Sequence, residues 1–224
     1  ADYNSLIANP TNPATYTGLK MTCFQIGVEG ISTVVRNDSV SNRTGSLSLA
    51  YLNIGFPLSK KLAMSFGLSP QTRSKYGMQQ DDSLAGISRV LYNYYGGGGT
   101  QNIYIGMAYQ LKDISFGLNT GYMFGNLINS SDANFTDSIR LVSSSYTSRT
   151  NVGGIFLQLG SVFNKKLKDE YNLAVGASYT LAQSLNASQD SYWKSFRGDV
   201  TDPDYLNVVD SSIERKGKVK LPAK

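Results

Sequence analysis

The stretch Ile103-Tyr-Ile-Gly-Met-Ala-Tyr-Gln-Leu-Lys-Asp-Ile-Ser-Phe-Gly-Leu-Asn-Thr-Gly-Tyr-Met-Phe-Gly125 decides the fold. Ile103, Ile105, Met107, Tyr109 and Leu111 alternate with Tyr104, Gly106, Ala108 and Gln110. After Lys112-Asp113, Ile114, Phe116, Leu118, Tyr122 and Phe124 alternate with Ser115, Gly117, Asn119, Gly121 and Met123. Strict alternation over such a length marks a strand rather than a helix. Lys112-Asp113 is then a two-residue hairpin loop, although it lacks the glycine that a type I′ turn prefers.

The same pattern recurs outward from this hairpin. Leu62, Met64, Phe66 and Leu68 alternate with Ala63, Ser65, Gly67 and Ser69. Tyr171, Leu173, Val175, Ala177, Tyr179 and Leu181 alternate with Asn172, Ala174, Gly176, Ser178 and Thr180. Leu47–Leu58 alternates but changes phase between Tyr51 and Leu52, as a β-bulge would make it do. The reading is about eight strands, near 22–35, 45–58, 62–75, 101–111, 114–126, 147–163, 171–185 and 205–216. Short connections (59–61, 112–113, 164–170) take turns with long polar ones (36–44, 76–100, 127–146, 186–204). That asymmetry is the habit of outer-membrane barrels.

The character of the two faces points the same way. One face is large and apolar; the other is small and uncharged, built from Gly, Ala, Ser, Asn, Thr and Gln. A water-facing surface would carry charge, yet only 17% of the 224 residues are charged while 41% are hydrophobic. A barrel with lipid outside and a polar lumen accounts for both faces. Aromatic girdles are expected from Tyr51, Phe56, Tyr109, Tyr122, Phe124, Phe163, Tyr171 and Tyr179. The competing reading is a secreted β-solenoid or adhesin with a Ser/Gly-rich surface. No stretch reads as a transmembrane helix, because the longest uncharged run, Val90–Leu111, contains Gly96–Gly99.

Composition removes much chemistry. There is no His, hence no histidine-based triad, acid–base chemistry or zinc site. Cys23 is the lone cysteine, which excludes an internal disulfide and suits a small hydrophobe in a strand. Asp81-Asp82, Asp169-Glu170 and Asp199/Asp202/Asp204 fall in expected loops or turns, and the spacing of Asp199, Asp202 and Asp204 matches no EF-hand loop. Gly96–Gly99 lacks the Lys-Ser/Thr of a phosphate loop. The expectation is therefore no enzyme, no catalytic residue, no metal and no cofactor. The net charge of +5 is concentrated late: 10 of 21 Lys and Arg lie at or after Lys165, without a nucleic-acid-binding motif, so no nucleic-acid partner is expected.

Several motifs resemble the long-chain fatty-acid transporter superfamily of outer-membrane proteins (FadL/TodX, the P1-type porins), in the form found in Bacteroidota. They are Tyr95-Gly-Gly-Gly-Gly-Thr-Gln-Asn-Ile-Tyr-Ile-Gly106, Ile114-Ser-Phe-Gly-Leu-Asn-Thr-Gly-Tyr-Met-Phe-Gly125, Asn12-Pro13-Ala14, Phe66-Gly-Leu-Ser-Pro-Gln71 and Lys216-Gly-Lys-Val-Lys-Leu-Pro222. The resemblance implies a bacterial outer-membrane location and an all-β antiparallel transmembrane barrel. Residues 1–21 would be an N-terminal luminal hatch. Residues 22–224 would supply part of a fourteen-stranded barrel whose C-terminal strands are missing.

The same resemblance implies site residues. Asn9, Pro10, Asn12, Pro13 and Ala14 would form the hatch, with Asn9 and Asn12 closing turns through their side chains. Ser69, Pro70 and Gln71 would mark a lateral opening, since Pro cannot donate to a ladder and otherwise simply ends a strand. Tyr92, Tyr94 and Tyr95, on an outer loop, would form a landing site for an apolar ligand or else an interfacial belt. Trp193, with Tyr192 and Phe196, admits the same two readings.

Two functions stay open. One is passive uptake of a hydrophobic, fatty-acid-like small molecule, with outer-membrane lipid as surroundings. The other is a structural or accessory barrel subunit that joins other outer-membrane proteins in secretion, barrel assembly or nutrient uptake.

Overall fold

A computed structural model describes residues 7–36, 41–84, 88–135, 141–168, 171–197 and 206–224. Asp169-Glu170, Asp199, Asp202 and Asp204, with the first six residues of the expected hatch, lie outside the described residues. Among the described residues, a short 3-10 helix (Pro13–Gly18) precedes nine strands: β1 Cys23–Arg36, β2 Ser41–Pro57, β3 Leu62–Leu84, β4 Ser88–Leu111, β5 Ile114–Phe135, β6 Ser143–Lys168, β7 Tyr171–Thr180, β8 Gln183–Arg197 and β9 Leu206–Leu221. They form one antiparallel sheet in the order β1-β2-β3-β4-β5-β6-β8-β9, with β7 also beside β6. The fold is all-β and barrel-like, and the sheet does not close: β1 and β9 are its ends.

Eight strands were expected, and the ninth has a local origin. β7 and β8 run along β6 one after the other, through Gln158↔Thr180 and Gly153↔Asn186. Leu181 N–H still bonds the Leu157 carbonyl (3.0 Å) at the break. Leu185 lies over Gly154, where any Cβ would meet it. β7 and β8 are thus one long strand interrupted at Leu181-Ala182. Past β9, Lys224 exchanges both backbone bonds with Thr180.

The alternation read at 103–125 is reproduced residue by residue. Ile103, Ile105, Met107, Tyr109 and Leu111 are exposed on one face, while Asn102, Tyr104 and Ala108 are buried on the other. β5 repeats this with Ile114, Phe116, Leu118, Tyr122 and Phe124 exposed and Ser115, Asn119 and Met123 buried. The phase change in β2 is a bulge: Tyr51 faces Gly27, Leu49 faces Val28, and Ala50 is the extra residue. It turns the Tyr51 ring onto Gly27 rather than into an outer girdle. The Lys112-Asp113 hairpin forms with Lys112 at φ 54°.

The long polar loops do not exist as such. β3 and β4 close to 85–87, β5 and β6 to 136–142, and β8 continues to Arg197. Apolar alternation stops short of the strand ends. Beyond that point polar residues prevail on both faces, and the backbone ladder carries the pairing, as in Gly96↔Asn129, joined in places by side-chain bonds such as that from Ser145 to Asp132 Oδ1 at 2.6 Å. β4 is 24 residues and β6 26; about 9–11 tilted residues cross a bilayer core. The sheet therefore extends well past the apolar belt at the end opposite the Lys112-Asp113 turn. Gly96–Gly99 and Tyr92, Tyr94 and Tyr95 sit inside β4, not on a loop. Asp81 and Asp82 sit on β3.

The sheet curls around the N-terminal segment. The 3-10 helix touches β2, β3, β4, β5 and β6 in succession. Its buried cluster joins Ala8, Tyr16 and Leu19 to Ala63 on β3 and Ala108 on β4, with Cys23 packed alongside. The core thus lies between segment and wall, on the face of small residues.

Candidate functional site

The site is the interface between residues 7–20 and the small-residue face. Its shape comes from glycines on adjacent strands. A Cβ at Gly117 would strike the Pro13 backbone, and one at Gly160 would strike the Asn12 side chain and the Pro13 ring. These two positions admit the segment directly onto the backbone of β5 and β6. Hydrogen bonding through side-chain amides then fixes it.

Asn12 caps the 3-10 helix: its Oδ1 accepts from Ala14 N–H (3.1 Å), and its Nδ2 donates to the Ser161 and Ala177 carbonyls (3.1 Å each). Asn9 closes a turn by accepting from Thr11 N–H at 2.9 Å. Wall amides answer from the other side. Asn119 Nδ2 donates to the Pro10 carbonyl (3.1 Å) and to Gln158 Oε1 (3.1 Å), and its Oδ1 accepts from the Tyr16 hydroxyl at 3.0 Å. Asn53 Nδ2 donates to the Ala8 carbonyl at 2.7 Å while Ser65 donates to Asn53 Oδ1 at 2.6 Å. Gln158 Nε2 donates to the Thr11 carbonyl at 2.8 Å, and Thr17 donates to Ser115 Oγ at 2.8 Å. Burial pushes the ionisation of Tyr16 far above the ordinary tyrosine range, the nearby Tyr104 reinforcing it and the Asn119 hydrogen bond partly opposing it.

The structure places Asn9, Pro10, Asn12, Pro13 and Ala14 together on this interface. Their wall partners Asn53, Asn119 and Gln158 were not singled out from sequence. The available signal was amide side chains recurring on an otherwise Gly/Ala/Ser face.

Ser69, Pro70 and Gln71 occupy a different place. The β2–β3 ladder runs only from Pro57↔Ala63 to Leu52↔Leu68 and stops there. Gln71 bulges out of the β3–β4 ladder between Pro70 and Thr72. Arg73, also unremarked in the sequence, reaches across to the Glu29 carboxylate on β1 and the Leu49 carbonyl on β2. Behind the stop lies a cavity of about 380 Å³, bounded by Pro10 and Thr11 of the segment and by Tyr51, Pro70, Asn102 and Gln183 of the wall. Tyr92 and Tyr94 stack on β4 with ring centroids 6.5 Å apart, remote from that cavity's lining. Trp193 packs on Tyr146 across β8 and β6 at 5.0 Å. Among the described residues, no three His, Cys, Asp or Glu side chains group as metal ligands.

Comparison with known proteins corrects the resemblance drawn from motifs. The model of the BamG family, a family related to barrel assembly, matches residues 2–224. No curated protein and no solved structure matches the chain. The match replaces the FadL/TodX assignment. The shared motifs were glycines and aromatics at strand spacing, which lipid-facing barrels of any lineage need.

Proposed function

The chain belongs to the BamG family, and on that premise we propose that it is an accessory, non-enzymatic subunit of an outer-membrane barrel-assembly complex. The family match is the observation that carries this reading. It favours a subunit among other outer-membrane proteins over passive uptake of a fatty-acid-like ligand.

Features of the fold support a scaffold seated in the bacterial outer membrane. The exposed face of β4 and β5 is a belt of Ile, Leu, Met, Phe and Tyr, which lipid accepts and water does not. Within the described residues the sheet ends at β1 and β9 without closing on itself. The Asn12–Asn119 network holds residues 7–20 against the wall and makes a rigid support of the whole.

Extraction of the protein from native membranes in mild detergent, followed by native mass spectrometry, tests the reading. Stable association with the barrel-assembly machinery is expected, and depletion of the protein should lower the levels of other outer-membrane barrels. A lone chain that carries a releasable apolar molecule would overturn the proposal in favour of uptake.

A further inference from the structure

β2 and β3 part company at Leu52↔Leu68, yet both continue as strands. Residues 41–51 of β2 go on pairing with β1, and residues 69–84 of β3 go on pairing with β4. Their facing edges have no ladder between them. The Leu49 carbonyl points into this split, because Arg73 donates to it there. By the two-residue period of a strand, the backbone groups of Leu47 and Gly45 face the same way. Adjacent strands lie about 4.8 Å apart; here the length of an arginine side chain stands in place of ladder bonds. Pro70, with no N–H to leave unpaired, sits at the mouth.

Two cavities adjoin the split. One, about 390 Å³, is walled by Glu29 and Ile31 of β1, Ala50 of β2 and Pro70–Arg73 of β3. The other is the 380 Å³ cavity behind the wall, and the two share Ala50, Pro70 and Gln71. Asn102, only 7% exposed, and Gln183 line the inner one, and among the described residues their buried Oδ1 and Oε1 have no hydrogen-bond partner. Around the split, Leu47, Leu49 and Leu68 line up with the outward apolar face, while Ser46 and Ser48 share the inward one.

We propose that the split between β2 and β3 receives one extended peptide strand of alternating apolar and polar residues, with its inward polar groups in the cavity at Asn102 and Gln183. Only an extended backbone meets unpaired N–H and C=O groups on two facing banks at once. Alternation suits the apolar side chains of Leu47, Leu49 and Leu68 on the outward side of the split and the amides of Asn102 and Gln183 that line the inner cavity. Arg73 is the latch, and the incoming strand displaces its guanidinium from Leu49. The inference goes beyond the assembly reading and stands without it.

The test uses the full chain in lipid nanodiscs and a fluorescent eight-residue peptide of alternating Leu and Ser. Saturable binding is expected, weakened at least tenfold when alternate amides are N-methylated, because methylation removes one edge of ladder donors. Arg73→Ala should tighten binding about tenfold by removing the latch. A photoreactive version of the peptide should label residues 41–51 and 69–84. Labelling at the outer edges of β1 or β9, equal binding of the methylated peptide, or no binding would each overturn the proposal, and an unchanged affinity in Arg73→Ala would overturn the latch. No assembly partner enters this assay, so its failure is distinct from failure of the co-purification.

Discussion

Asn119→Ala should loosen the N-terminal segment without unfolding the wall. Asn119 is 1% exposed, and two of its hydrogen bonds cross to the segment: one to the Pro10 carbonyl and one from the Tyr16 hydroxyl. The third, to Gln158, stays within the wall and does not count toward docking. At about 1 kcal/mol net per bond, the two crossing bonds contribute about 2 kcal/mol. A larger figure is not warranted, because Ser65 and Tyr104 stand close enough to take up the freed Tyr16 hydroxyl. Two kcal/mol corresponds to a roughly thirtyfold rise in the population with the segment undocked. Hydrogen exchange in detergent reads this directly at the amides of Ala14, Thr15 and Leu19, which bond Asn12 Oδ1, the Asn12 carbonyl and the Tyr16 carbonyl. Exchange there should quicken about thirtyfold while the ladder amides of β4 and β5 keep their protection. A change below about threefold at those three amides, in a protein whose strands remain protected, would refute the claim that wall amides hold the segment.

Gly117→Val and Gly160→Val should expel the segment by filling the space that the Pro13 backbone and Asn12 side chain occupy; Gly77→Ala, with nothing within 4 Å of its Cβ position, should leave it docked, and limited proteolysis within residues 7–20 tells them apart. Tyr16 ionises far above the ordinary tyrosine range when docked, so the undocked state loses its proton first as pH rises. Docking is then fully present below that range and weakens above it, and Tyr16→Phe should abolish this alkaline release, measured by the same proteolysis. At the far end of the sheet the hydrogen bond from Arg89 holds Asp81 below the usual carboxylate range. Its contribution is present above the unfolded-state value and is lost as pH falls through the depressed one. Arg89→Ala should bring the Asp81 titration, followed by carboxyl NMR, back to the ordinary range.

Alternation of large apolar with small uncharged residues determined the belt of the sheet before any coordinates. A strand's period of two sends every second side chain to one face, so Ile103–Leu111 and Ile114–Phe124 could be assigned to an outer and an inner surface directly, and even the bulge at Ala50 left a phase change. Proline and asparagine chemistry made Asn9, Asn12 and Pro70 stand out as local features, because turn closure and a missing N–H are properties of single residues. Lineage did not follow, since glycine and aromatic spacing reports the demands of lipid rather than descent.

Tertiary structure alone decided the rest, for one physical reason: the decisive interactions join residues far apart in the chain. Strands β3–β6 and β8 continue through polar sequence because neighbouring backbones bond to one another, and that leaves no hydrophobic period to read. Asn53, Asn119 and Gln158 act only because curling brings β2, β5 and β6 around residues 7–20, and a lone amide in a strand gives no sign of which carbonyl it will meet. The split between β2 and β3 and the reach of Arg73 to Leu49 and Glu29 exist only in the assembled sheet, where two strands that pair at one end are free at the other.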